Sequence, residues 1–459
     1  MIAESICEPC RRRCFLKSEV IGNDDPVIKK PRLSSCTLCL GILNETVLDE
    51  VINVAFRALE SIGYEYTSLC FNLTTPVAIL VREASFKIAN SGKALPDLKE
   101  TWKNILQSRL DAAGRTCNLV RNADEDDTVV SVNVKYTYVD DKKECEKVRS
   151  LDPSFAANHK KVHGVKYDER VLTRLYVQSV LDNASSSSIE KVFPYPMGYE
   201  SEAVLGSVET SRCSYWLAGR YIKRSRTLPQ TPWVIDGVRK GETSLEEIIR
   251  DGILSCVPCD SVRFSSSGRE DVDVRCLGSG RPFLCQIINP KKLGKDKMTA
   301  LAVKNAVNSS SNDIQIRDVQ FVSKAEAGNL KEGEEEKIKC YEAFCVSQEE
   351  ILPEKLDKLQ EHSGLTITQK TPIRVLHRRS LADRERVVHK LQASPCPGRD
   401  ARFFILKLDT QAGTYVKEFV HGDLGRTSPN LSQILGVATD IVALDVVAVL
   451  FDWPPCLQD

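Results

Sequence analysis

Two Cys-x-x-Cys pairs, Cys7/Cys10 and Cys36/Cys39, constrain this chain most, because the segment holding them has almost no other means of folding. Residues 1–45 show little helical or strand periodicity, so they offer no amphipathic face on which a core could form. Each pair sets two sulfurs on one tight turn, and two such turns suit tetrahedral thiolate coordination of zinc. The 25 residues between Cys10 and Cys36 exceed the commonest ribbon spacing of about 15–20, but a longer loop adds little closure entropy. Cys7, Cys10, Cys36 and Cys39 are therefore the expected ligands of one structural zinc. Cys14 is a substitute ligand, and Arg11-Arg12-Arg13 reads as a phosphate contact or as solvated charge.

The 17 cysteines of the chain are odd in number and lack the spacing of a secreted disulfide domain. The opening MIAESICEPCRRRC has no apolar stretch before its charges, unlike a signal peptide. No window approaches the roughly 18 apolar residues of a membrane span. An intracellular setting, nuclear or cytoplasmic, is expected, without membrane association, and there paired cysteines indicate metal before disulfides. Cys256-x-x-Cys259 has no partner pair nearby and reads as incidental thiols.

At 459 residues two to three domains are expected, and 42% hydrophobic with 27% charged residues is ordinary globular composition. Lys+Arg and Asp+Glu balance at 63 each, so any nucleic-acid surface must be local. Leu98, Trp102, Ile105, Leu106 and Leu110 recur at helical spacing, with Gly114 as a stop, and Thr128–Val139 alternates as a half-buried strand. Ala184–Ser188 reads as a surface turn.

The character changes near Trp216, where Arg220, Lys223, Arg224, Arg226, Arg239 and Lys240 surround a single acid, Asp236. A boundary there gives domains 1–215 and 216–459. Beyond it, Ser244 to Glu247 forms a capping-box helix start. Asn305–Asn312 and the acidic Glu332–Glu336 read as long hairpin loops, and Arg402–Leu408 and Ile441–Phe451 as strands. The stretch Thr371–Arg379, continued by Arg384, Arg386, His389 and Lys390, is a local positive excess suited to phosphate. Arg378 and Arg379 are its candidate substrate contacts.

The sharpest local signal is Gly268-Arg269-Glu270-Asp271-Val272-Asp273-Val274-Arg275, followed by LGSGRPF. So much charge does not pack as a strand. If extended, Asp271 and Asp273 share a face, each with an arginine two residues away to favour its ionised form. On composition alone an ion-paired surface turn is as good a reading.

GREDVDVRCLGSGRPF resembles the active-site motif of the Pus-ten family of tRNA pseudouridine synthases. Three stretches similar to that family follow in the family's order: Lys339-Cys340-Tyr341, Gly413-Thr414-Tyr415-Val416-Lys417 and Leu444-Asp445-Val446. AGRYIKRSRTLPQTPW, TPIRVLHRR and KEFVHGDLGRTSPN are similar too, so the resemblance runs from about Gly219 to the end. Val416 stands where isoleucine is commoner.

The resemblance implies that Asp271 is the catalytic carboxylate with Asp273 a supporting acid. It further implies that Tyr341 stacks on the target base, that Lys417 pairs with Asp271, and that Val416 and Leu444 wall the pocket. It also implies a four-cysteine zinc site joined to a THUMP-type RNA-binding domain, although residues 45–210 offer no sharp motif of their own. The expected fold is α+β: a zinc-bearing THUMP-like accessory domain, then a catalytic domain on a mixed sheet. The expected activity is isomerisation of a T-arm uridine of tRNA, at position 55, 54 or both, by a monomer. Other structured RNAs are further candidate substrates. Exchanging the N1–ribose bond for a C5–ribose bond involves no redox change, so no organic cofactor is expected. The alternative is an RNA-binding scaffold in small-RNA processing with the same fold. A methyltransferase or thiolation enzyme would need a glycine-rich nucleotide loop, which the sequence does not offer.

Overall fold

The computed structural model describes residues 6–15, 36–92, 95–115, 117–123, 126–152, 172–198, 200–332, 338–377 and 379–457. The chain divides into two compact units, Met1–Cys213 and Ser214–Asp459. Among the described residues no helix is long and apolar enough to cross a membrane.

In the first unit β1 (Ser68–Thr74), β2 (Asn118–Leu119), β3 (Val129–Thr137) and β4 (Val204–Ser211) form a sheet in the order β2-β1-β3-β4. β1 runs parallel to β2 and β3, and β4 runs antiparallel to β3. Parallel neighbours need a crossover, and helices Ala78–Ala89 and Leu98–Ala112 lie between β1 and β2 in sequence. The expected periodicities are present. Trp102, Leu106 and Leu110 are buried on one side of their helix, and Val130, Val132, Val134 and Tyr136 on one face of β3. Asp97 caps the helix by accepting from Lys99 and Glu100 N–H groups.

The serine run departs from the expected turn. Ser185 caps a helix, Ser186–Val192, by accepting from the Ser188 N–H, and Ile189 anchors it in the core. A run of serines hides a helix start because the cap itself is a serine.

The second unit holds β5 (Tyr215–Lys223), a two-stranded ribbon of β6 (Val234–Ile235) and β7 (Val238–Arg239), and one large mixed sheet. The ribbon turns at Asp236-Gly237, both with positive φ. β5 joins β8 (Ser261–Ser266), β9 (Arg275–Ile288), β10 (Ile314–Val322), β11 (Ile338–Ser347), β12 (Leu365–Lys370), β13 (Asp383–Pro395), β14 (Phe403–Gln411), β15 (Thr427–Ser428) and β16 (Thr439–Val449). The sheet order is β10-β5-β9-β16-β11-β14-β13-β12-β15, with β8 also on β9. Among the described residues its one parallel pairing joins β9 to β16, at Arg275–Asp445 and Cys276–Val446. That join brings the segment leading into β9 beside Leu444-Asp445-Val446.

Helix Leu245–Cys256 starts at Ser244 as expected, and it packs on helix Lys297–Ser310. The contact is close at Gly252, where an added Cβ would collide with Val307. The second helix takes most of the residues expected in a hairpin loop at Asn305–Asn312. Asp296 caps it, and Ala300, Val303 and Val307 form a buried stripe that outweighs the weak propensity of asparagine and serine. Asn308 exchanges two hydrogen bonds with the Ile316 backbone, at 2.9 and 2.7 Å, so its polar side chain serves the fold. Of the acidic run, Glu332 ends a helix begun at Lys324, and the loop expected after it lies outside the described residues.

Candidate active site

The charged segment 267–274 is a turn between β8 and β9. The Val274 N–H donates to the Asp271 carbonyl at 3.1 Å, so Asp271 and Asp273 do not alternate along an extended face. Arg275 consequently does not serve Asp273 as expected: it gives both its contacts, at 2.9 and 2.5 Å, to Asp445 on β16.

What shapes the turn is a buried polar framework. Glu270 and Arg281 form an ion pair at 3.0 Å with both side chains 1% exposed. Tyr221 donates its hydroxyl to Glu270, and Gln230 donates to Tyr221 and to the Gly268 carbonyl. Removing one member of such a pair costs about 3–5 kcal/mol, because the other charge is left buried and alone. From β5, the buried Lys223 ammonium donates to the carbonyls of Leu228, Asp271 and Val272. Desolvation pulls the Lys223 pKa down. Arg226 donates to the carbonyls of Asp273 and Leu444 and pairs with Asp445 at 2.6 Å. Arg239 pairs with Glu247, and Arg220 is buried against the carbonyls of Gly280, Phe451 and Trp453. Much of the basic stretch thus holds the domain together.

With its backbone fixed, the turn leaves the Asp271 side chain 30% exposed between two cations from distant segments. Arg374, in a short turn Ile373–Val375 after β12, lies 2.8 Å from Asp271. Lys417 lies 3.5 Å from Asp271 and makes its shorter contacts, 2.7 and 2.8 Å, with Asp273. Against the burial that would raise it, Lys417 holds the Asp273 carboxyl below its ordinary range. Lys417 reaches this point because β14 ends in a turn at Gly413, whose φ of 78° favours glycine, and helix Val416–His421 follows. Val416 and Leu444 are buried in one core cluster, with Tyr341 partly buried against it. On the β11/β16 pair Tyr341 lies opposite Val446 and Ala343 opposite Leu444, which puts Tyr341 and Leu444 on one face. Burial pushes the Tyr341 phenol up to about 12.

Arg374 is the residue that the sequence reading placed elsewhere. Expected among phosphate contacts, it faces Asp271 and the buried Glu418 instead. Arg379 is exposed beyond it, and Arg378 lies outside the described residues. Arg384 donates to the Thr371 hydroxyl at 3.2 Å and so braces the start of this loop. Sequence alone does not mark Glu270, Arg281, Lys223 and Asp445 as site residues. Their charges were visible in the motifs, but only strand pairing shows them to be buried and partnered.

In the first unit the sulfurs of Cys7, Cys10, Cys36 and Cys39 all lie within 4.8 Å of one another, the one such group among the described residues. Helix Glu8–Phe15 begins just after Cys7. Leu40 and Gly41, both at positive φ, turn the chain after Cys39. The Cys7 and Cys39 sulfurs are 3.6 Å apart, and a tetrahedral centre with metal–sulfur bonds of about 2.3 Å places its sulfurs about 3.8 Å apart. The group could hold a metal ion. Cys256 and Cys259 belong to no such group.

Residues 216–450 match the family described as "Pus10, C-terminal", and residues 36–207 match "Eukaryotic Pus10, N-terminal". The chain is 38% identical over 438 residues to the human protein named tRNA pseudouridine synthase Pus10, covering 94% of this chain and 81% of that one. The Xenopus laevis protein of the same name is 37% identical over 454 residues, covering 96% and 85%. A solved Cbf5-Nop10-Gar1 complex overlaps 50% of this chain and 58% of that one at 14% identity, with a TM-score of 0.26, too loose to argue from.

Proposed function

The chain belongs to the Pus10 family of tRNA pseudouridine synthases, and from that premise we propose that it isomerises a T-arm uridine, at position 55, 54 or both, with Asp271 as the catalytic carboxylate. As a tRNA pseudouridine synthase it is an isomerase acting on tRNA. One observation carries the residue assignment: Asp271 alone on its turn faces two cations, Arg374 and Lys417, delivered from separate segments.

The reaction breaks the bond between N1 and the ribose C1′, turns the uracil, and joins C5 to C1′. The C5 proton leaves, N1 gains a proton, and product and substrate are isomers. Neither electrons nor a transferred group enter from outside, so the chemistry needs no organic cofactor. The detached uracil has to be held during the turn. An aromatic face beside apolar walls does this, and Tyr341 with Val416 and Leu444 supplies it. Closing RNA over the site desolvates Asp271, and the adjoining cations offset that cost. Arg378 and Arg379 are read as phosphate contacts, and Arg379 is exposed as such a role requires.

The N-terminal unit is read as a THUMP-like RNA-binding module with one structural zinc on Cys7, Cys10, Cys36 and Cys39. Four thiolates fill a tetrahedral shell and leave no open position, as in structural zinc sites. The chain is expected to work as a monomer.

Incubating the protein with an unmodified tRNA transcript and mapping pseudouridine chemically tests the T-arm assignment. Product should be confined to positions 54 and 55, and a transcript with cytidine at both should gain none. Conversion elsewhere in place of these positions would overturn it.

The base clamp gives a second expectation. Tyr341→Phe keeps the ring and should retain most activity. Tyr341→Ala loses the stacking surface, worth about 1–3 kcal/mol per base, and should fall by about tenfold or more. Equal losses in single-turnover rates would shift the role to the hydroxyl.

A further inference from the structure

We infer that Glu418 and Arg374 form a positioning relay for Asp271: Glu418 holds the guanidinium, and the guanidinium sets the carboxylate. The inference rests on Asp271 being the catalytic carboxylate.

Glu418 lies in the first turn of helix Val416–His421, one residue after Lys417, with its side chain 2% exposed. One oxygen accepts from Arg374 Nε at 2.6 Å. The other is buried and accepts no hydrogen bond from a described protein group. Among the described residues Arg374 is its one ion-pair partner. A carboxylate so deeply buried, with a single ion-pair partner among the described residues, stabilises a fold little once its desolvation is counted. Its placement makes sense as an anchor. A guanidinium is a rigid planar fork, and Arg374 has both sides engaged, Nε on Glu418 and the NH1 nitrogen on Asp271 at 2.8 Å. Two such contacts fix the plane of the fork, whereas a lone ion pair would let it pivot.

The base of Arg374 is held as well. The Ile373 N–H donates to Asp423 at 3.1 Å, and Val375 is buried. Although burial works against the cation, Glu418 first and Asp271 after it raise the Arg374 pKa. Lys417 is placed differently. Its ammonium can rotate, it is closer to Asp273 than to Asp271, and it offers a point charge with no fixed direction. The two cations therefore divide the work: Lys417 supplies charge shared between two acids, and Arg374 supplies orientation to one. Because a misplaced reacting group loses rate steeply, the relay should act on the chemical step and leave RNA affinity nearly unchanged.

The test compares the full-length parent with Glu418→Gln, Arg374→Ala, the double variant and Asp271→Asn. The readouts are single-turnover pseudouridine formation at saturating tRNA, tRNA affinity and thermal melting. Glu418→Gln and Arg374→Ala should each lower the rate constant about 10–100-fold. Affinity should stay within about twofold, since phosphate contacts dominate it. The double variant should be no slower than Arg374→Ala, because Glu418 acts only through Arg374. A parental rate in either single variant overturns the relay, as do losses that multiply in the double, since multiplication would mean an independent structural role for Glu418. If a single variant fails to fold for want of its buried partner, the charge-balanced double carries the test, and a parental rate in it overturns the proposal. The Asp271→Asn arm separates the two readings. An active Asp271→Asn protein removes the assignment of Asp271 itself, whereas an inactive one beside parental relay variants removes only the relay.

Discussion

Asp271→Asn should bind tRNA about as tightly as the parent and form no detectable pseudouridine. Asparagine keeps the shape of the side chain and loses the charge and the basicity, and loss of one essential catalytic group slows an enzyme by about 10³-fold or more. The turn should survive the change, because nothing that shapes it uses the Asp271 carboxylate. Glu270 and Arg281 form their own buried pair, and Lys223 binds the carbonyls of Asp271 and Val272. Lys417 keeps Asp273 as a partner, and Arg374 keeps Glu418. Affinity for tRNA rests mainly on phosphate contacts and should change little. Asp273→Asn, which alters a carboxylate 58% exposed, should cost far less. The comparison needs single-turnover rates with binding measured on the same preparations. Pseudouridine formed by Asp271→Asn at a comparable rate would show the site to be misplaced.

Removing the metal should produce the second large effect, in the other unit. One zinc per chain is expected on Cys7, Cys10, Cys36 and Cys39. Structural zinc binding is worth about 10–16 kcal/mol in small zinc-dependent folds at neutral pH, and that free energy goes into folding the segment that holds it. Here the segment has apolar neighbours to lose. Ile6, Leu38, Leu40, Ile42 and Leu43 are all buried in the core of the first unit. Chelation or Cys36→Ser should therefore deprotect amides in residues 6–15 and 36–43 to hydrogen exchange and weaken tRNA binding. The intrinsic chemistry at Asp271 should persist once RNA is bound at saturating concentration. Elemental analysis of freshly purified protein settles the premise. Absence of zinc removes the site, and zinc retained by Cys36→Ser would move it elsewhere.

Local periodicity made several elements legible in advance. Trp102, Leu106 and Leu110 at helical spacing, alternation through β3, and Ser244 as a cap each depend on residues within a few positions of one another. The approach of the four sulfurs was legible for a related reason, since each Cys-x-x-Cys is a complete local unit and two such units have one obvious use. Side-chain chemistry that looks alike locally was not legible. The tail of helix Lys297–Ser310 reads as a loop until Ala300, Val303 and Val307 are seen buried beneath it.

The amino-acid order by itself determined which acids, cations and thiols the chain has, in ordered motifs similar to one family, and where its amphipathic segments run. Only the tertiary structure decided which charges meet. The parallel join of β9 to β16 brings Arg275 onto Asp445 across 170 residues, and so takes away from Asp273 the arginine that sequence had given it. The 373–375 turn and the helix after β14 bring Arg374 between Asp271 and Glu418, the last of them 44 residues away. The reason is physical. Charges two residues apart on a turn still point into different surroundings, whereas groups far apart in sequence become neighbours once strands pair. The partner a charge meets in the folded chain fixes its role more than its place in the sequence does.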